Sequence, residues 1–198
     1  MGWINKFKLS SEELSKLRLK EKEKLHEESR YVLITEKTLT DLILGIKEVF
    51  GPATASVLYH IFKRAGERKT SSLMHDLRTH RMKEEGLEKY ELKETDLDEV
   101  ILEVVKELET EGYAREIEHK VDWIDKRVLL KIKDPISIRL LELAREEGIS
   151  LSEDEATAIL RGLIAGMLSA VTGRQIDIKR AVLDRKNKKV IIALTNVL

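Results

Sequence analysis

Two pairs of strand-like segments, each at hairpin distance, constrain this chain more than any other feature of its sequence. The first pair is Tyr113 to Trp123 and Lys126 to Lys133, separated by a charged turn. The second is Gln175 to Leu183 and Val190 to Leu194, around Asp184-Arg185-Lys186-Asn187-Lys188. Strands that arrive in hairpins, instead of alternating singly with helices, predict an antiparallel sheet with helices segregated to one side. A parallel doubly wound sheet is disfavoured.

The helical segments fit that class. Thr38 or Thr40 is expected to cap a helix bearing Leu39, Leu42, Ile43, Ile46, Val49 and Phe50, stopped at Gly51-Pro52. A second helix runs from Ala53 through Val57, Leu58, Ile61, Phe62 and Ala65, past Gly66 towards Met82, and Lys83 to Thr95 reads as a loop. Asp96 opens the helix of clearest period, which Gly112 closes. A short helix with Ile138, Leu141 and Leu143 stops at Gly148. The helix from about Glu153 to Val171 presents a wide apolar face of Ile159, Leu160, Leu163, Ile164, Met167, Leu168 and Val171. Tyr31-Val32-Leu33-Ile34-Thr35 reads as a further strand. The expected fold is therefore α+β, with four to five antiparallel strands in the order β-α-α-α-β-β-α-α-β-β. Residues 1–29, opened by the capping box Ser10-Ser11-Glu12-Glu13 and thin in apolar positions, read as a charged N-terminal helical extension, and 30–198 as the folded domain.

Composition narrows the function classes. The 198 residues carry 36 basic and 36 acidic side chains, so no net charge pulls the chain towards nucleic acid or anionic membranes. The absence of cysteine removes disulfides, thiolate metal sites and cysteine nucleophiles. No window reads as a membrane span or a secretory signal, and the expected setting is cytoplasmic. Asn occurs only at Asn5, Asn187 and Asn196 and Gln only at Gln175, amid abundant Lys and Glu, a thermophile-like bias.

Chemistry-bearing motifs are scarce. His75 and His80 stand about 140° apart on a helix and cannot share a metal, so no metal site is expected. Gly66-Glu67-Arg68-Lys69-Thr70 lacks the glycine spacing of a phosphate loop. No nucleophile elbow or paired carboxylates in an apolar setting occur, and no catalytic residue or cofactor is assigned. The helix and hairpin around Gly112 imitate a winged helix. Yet that helix bears Glu94, Asp96, Asp98, Glu99, Glu103, Glu107, Glu109 and Glu111 against one Lys106, which phosphates would repel. The basic last hairpin (Lys179, Arg180, Arg185, Lys186, Lys188, Lys189) lacks interleaved aromatics, so no nucleic-acid partner is expected. Gly162 and Gly166, one turn apart on one helix face, permit close approach of a backbone or a ligand.

Several segments together resemble the vinyl-4-reductase domain, a predicted hydrocarbon-binding family common in archaea. They are Tyr31 to Glu36, Phe50-Gly51-Pro52-Ala53, Lys131-Ile132-Lys133-Asp134-Pro135 and Arg161-Gly162-Leu163-Ile164-Ala165-Gly166-Met167-Leu168. The resemblance spans about Arg30 to Leu198 and implies the ligand-binding fold shared with nitric-oxide sensors and TRAPP core subunits. It implies a homodimer that holds an apolar small molecule or lipid without catalysis, or else a tethering subunit that acts through protein–protein assembly. The cysteines that carry zinc or acyl chemistry in such proteins are missing here. Tyr59, Phe62, Trp123, Leu163 and Met167, each apolar or amphipathic on an element expected to face the sheet, are the ligand-binding candidates. Gly162 and Gly166 are the close-packing glycines.

Overall fold

The structure, a computed structural model, describes residues 35–86, 94–122, 124–125 and 127–195. The expected extension over 1–29, the strand at Tyr31 to Ile34 and Trp123 lie outside the described residues. Five helices and four strands follow: α1 (Glu36–Phe50), α2 (Thr54–Glu85), α3 (Glu94–Thr110), β1 (Glu116–Asp122), β2 (Arg127–Lys133), α4 (Ile136–Glu146), α5 (Glu153–Thr172), β3 (Val182–Asp184) and β4 (Lys189–Thr195). The compact unit that holds them runs from Thr35 to Leu198.

The sheet is wholly antiparallel, in the order β1-β2-β4-β3. β2 pairs along its whole length with both neighbours, from Arg127↔Thr195 to Lys133↔Lys189 on one side and Glu116↔Lys133 to Asp122↔Arg127 on the other. The two-residue period turns Val128, Leu130 and Ile132 of β2, and Val190 and Ile192 of β4, into the core. There they meet α5, whose central turns from Ala156 to Leu168 are buried on every side. The fold is thus α+β with an antiparallel sheet, as the hairpin spacing predicted.

Local signals set the helix ends, with some differences from expectation. Thr35, not Thr38 or Thr40, caps α1: its Oγ1 accepts the Thr38 amide at 3.1 Å, while the Thr40 hydroxyl is spent on the Glu36 carbonyl inside the helix. α2 continues through Lys83 to Glu85, because Gly86 (φ 65°) supplies the left-handed cap. α3 starts at Glu94, two residues before Asp96. At α5 Ser152 and Glu155 form a complete capping box, in which Glu155 also pairs with Lys47 of α1 at 2.8 Å.

The largest departure is at Gln175 to Ala181, expected as strand. Only Val182–Asp184 pairs with β4. The preceding residues keep the alternating burial of a strand, with Ile176 and Ile178 inside, but their backbone partners are side chains on α2 and α5.

The helices are joined by a glycine crossing between α2 and α5. A Cβ on Gly166 would stand 2.0 Å from the Lys63 carbonyl oxygen and one on Gly162 2.4 Å from that of Tyr59. Reciprocally, a Cβ on Gly66 would stand 2.3 Å from the Leu163 carbonyl oxygen. The obstacles are backbone atoms, which cannot swing aside as a side chain can. Gly166→Ala is therefore expected to cost at least about 3 kcal/mol, the upper range for overpacking. Denaturant unfolding measures it, and a loss below about 1 kcal/mol would refute the crossing as described.

Candidate functional site

The most developed cluster of polar side chains lies where the Gln175–Ala181 segment crosses α2 and the N-terminal half of α5. Tyr59 and Lys63, one turn apart on α2, face Asp177. The Tyr59 hydroxyl donates to Asp177 Oδ1 at 3.2 Å and accepts the Ile178 amide at 2.9 Å, and Lys63 Nζ reaches the same carboxylate oxygen at 2.6 Å. From α5, Arg161 Nη1 donates to the carbonyls of Ile178 (3.2 Å) and Lys179 (2.7 Å). Its Nη2 donates to the Asp154 carbonyl (3.0 Å) and Oδ1 (2.6 Å). The guanidinium carbon stands 5.7 Å from the Tyr59 ring centre, and the His60 ring meets the same Tyr59 ring edge-on with centres 5.4 Å apart.

Burial gives these contacts weight. The Lys63 side chain is 8% exposed and that of Arg161 6%, so each charge is withdrawn from water and needs its partners. The Lys63 ammonium holds the Asp177 carboxyl below its ordinary range, with Tyr59 helping. Burial pushes the Tyr59 phenol up. A cleft of about 190 Å³ opens beside them, lined by Ser56, Tyr59, Asp154, Arg161, Asp177 and Lys179 among others. It is small beside the few hundred Å³ of a typical ligand pocket. Both Nη atoms of Arg161 and the ammonium of Lys63 are engaged within the protein. Arg161 Nε is buried without a hydrogen-bond partner. The arrangement works chiefly as a set of struts: side-chain donors replace the ladder that the 175–181 segment would otherwise find in a sheet.

The residues expected to bind ligand do not surround one cavity. Tyr59 lines the cleft. Phe62 is half-buried, and its Cβ would sit 3.1 Å from a Cβ on Gly162. Leu163 and Met167 are buried in the core, 7% and 1% exposed, and Trp123 is outside the described residues. The face offered by Gly162 and Gly166 is filled by the α2 backbone, which leaves no room there for a ligand. Among the described residues no group of His, Asp and Glu could hold a metal ion. Arg161, Lys63, Asp154 and Asp177 were not singled out as site residues from sequence. The available signals were an arginine amid the apolar run of α5, seven residues from Asp154 on the same face, and an aspartate between Ile176 and Ile178.

Tyr59→Phe leaves the buried Ile178 amide without its acceptor and is expected to cost about 1–3 kcal/mol in denaturant unfolding. The pair with Lys63 lowers the Asp177 pKa in the fold, so its contribution is complete above the unfolded value and fades as pH falls through the folded one. Asp177→Asn should thus destabilise at neutral pH and flatten the loss of stability on acidification. An unchanged acid profile would refute the pairing.

No protein-family model matches this sequence, and comparison with curated proteins finds no match. The likeness to vinyl-4-reductase domains rests on the residues that suggested it.

Proposed function

We propose that this chain is a non-catalytic homodimeric module that works through protein–protein assembly, with the outer face of α1 as its contact surface. The observation that carries this reading is an uncovered apolar strip. Leu42 is 56% exposed and Val49 76%, and they line the side of α1 away from Leu39, Ile43 and Leu44, which pack into the core, while Phe50, in the last turn on the core-facing side, is still 49% exposed. Among the described residues two helical stretches are long and apolar enough to cross a membrane by length and composition, α5 and Glu36–His80. The α5 window is 89% buried in the fold, but the Glu36–His80 window only 22%. The second stretch is broken by Gly51-Pro52, and apolar surface left bare on this scale marks a contact site.

Gly45 supports a second copy as the occupant. Glycine inside a helix costs about 1 kcal/mol relative to alanine. Gly66, Gly162 and Gly166 offset that cost by admitting a neighbouring backbone. Gly45 stands mid-helix on the exposed strip with nothing within 4 Å of its Cβ position. Two α1 helices crossing at Gly45 would bring their backbones together as α2 and α5 are brought together, and zero net charge leaves no long-range repulsion between copies.

A second reading, binding of a small amphipathic molecule, is favoured by the cleft beside Tyr59 and the unpartnered Arg161 Nε. Native mass spectrometry of the purified chain for a retained small molecule tests it.

For assembly, light scattering coupled to size exclusion should give a dimer mass. Val49→Asp with Leu42→Asp should give a folded monomer. Gly45→Ala should weaken the dimer while stabilising the monomer by up to about 1 kcal/mol. A wild-type chain that stays monomeric at high concentration would overturn the reading.

A further inference from the structure

α2 carries a second surface, independent of the apolar strip on α1. At 100° per residue, His60, Arg64, Arg68, Ser71, His75 and Arg78 fall within an arc of about 80° and form one exposed crest about 27 Å long. Opposite this crest are Gly66 and Thr70, buried against the rest of the fold. Glu67 and Asp76 stand to either side of the row, and no acid stands on it. Nearby cations are already spoken for: Lys69 bridges Glu107 and Glu111 of α3, and Lys63 holds Asp177. Arg64, Arg68 and Arg78 make no ion pair among the described residues.

Lys179 lines the cleft with Ser56 and Tyr59, but the Asp154 and Asp177 carboxylates line the same cleft, so the unbroken row is confined to α2. Three unpaired arginines thus follow one helix face of a chain whose net charge is zero.

We infer that this line is a binding track for the phosphate backbone of a nucleic acid, read without regard to base sequence. A single file of guanidinium groups suits a linear polyanion. The 6 Å rise between Arg64 and Arg68, about four residues at 1.5 Å, is close to the roughly 6.8 Å advance of two nucleotides along one DNA strand. The guanidinium fork pairs with phosphate in two-point fashion. Among the described residues no Phe, Tyr or Trp stands on the crest to stack on bases, and the nearby Tyr59 ring is taken by Arg161 and His60.

Fluorescence anisotropy of the full chain with a labelled DNA duplex of about two helical turns tests the track. Binding should be sequence-independent and should weaken with salt. Arg64→Glu, Arg68→Glu and Arg78→Glu together should reduce affinity at least about 10-fold and lower the log–log salt slope by about 2.7, at 0.9 per lost phosphate contact. Circular dichroism should show the fold retained, since the three side chains are exposed and unpaired. Lys186→Glu with Lys188→Glu on the last hairpin should leave binding largely intact. No duplex binding at low salt, an equal loss in the hairpin variant, or binding to phosphatidylserine vesicles but not to the duplex would each overturn the inference.

Discussion

The contact on which the rest of this fold depends is the one between the backbones of α2 and α5. Gly66, Gly162 and Gly166 bring the two helices to a separation that any side chain would forbid, and everything near the crossing is fixed by that approach. It puts Tyr59 and Lys63 within reach of Asp177, and Arg161 alongside the same segment. Had the helices stood a further few ångströms apart, hydrogen bonds of 2.6–2.9 Å to that segment could not form together. Three glycines without side chains thus position the Tyr59, Lys63, Arg161 and Asp177 cluster.

The same crossing explains why a segment with the alternation of a strand is not one. Ile176 and Ile178 face inward as a strand pattern demands, but Ser169, Tyr59 and Arg161 satisfy their amides and carbonyls. Backbone polar groups need partners and do not specify which kind. Periodicity in sequence reports which side chains are buried, and is silent on whether the hydrogen bonds go to a neighbouring strand.

That distinction accounts for what could be read in advance. The first hairpin, the glycine stops after α4 and α5 and the apolar face of α5 follow from local period and capping, and the structure has them within a few residues. The α2–α5 approach was legible as a possibility in Gly162 and Gly166, but the partner was not, because Gly66 lies about a hundred residues away. The polar cluster was less legible still. Asp177, Lys63 and Arg161 look like ordinary surface charges in a chain with 36% charged residues, and only tertiary packing makes them buried and paired. The candidates chosen for apolar character, Leu163 and Met167, went where such residues usually go, into the core.

The lengths of the crossing helices carry one more consequence. α2 has 32 residues, about 48 Å, and α5 has 20, about 30 Å. Past the glycines, Lys69 pairs with α3 and Leu73, Met74 and Leu77 still pack on the core, so α2 is held over most of its length and only its last eight residues, about 12 Å, overhang. In mechanical terms it is a beam clamped along its middle and not a lever on a pivot, so a force on the overhanging end is spread over several contacts before it reaches the glycines.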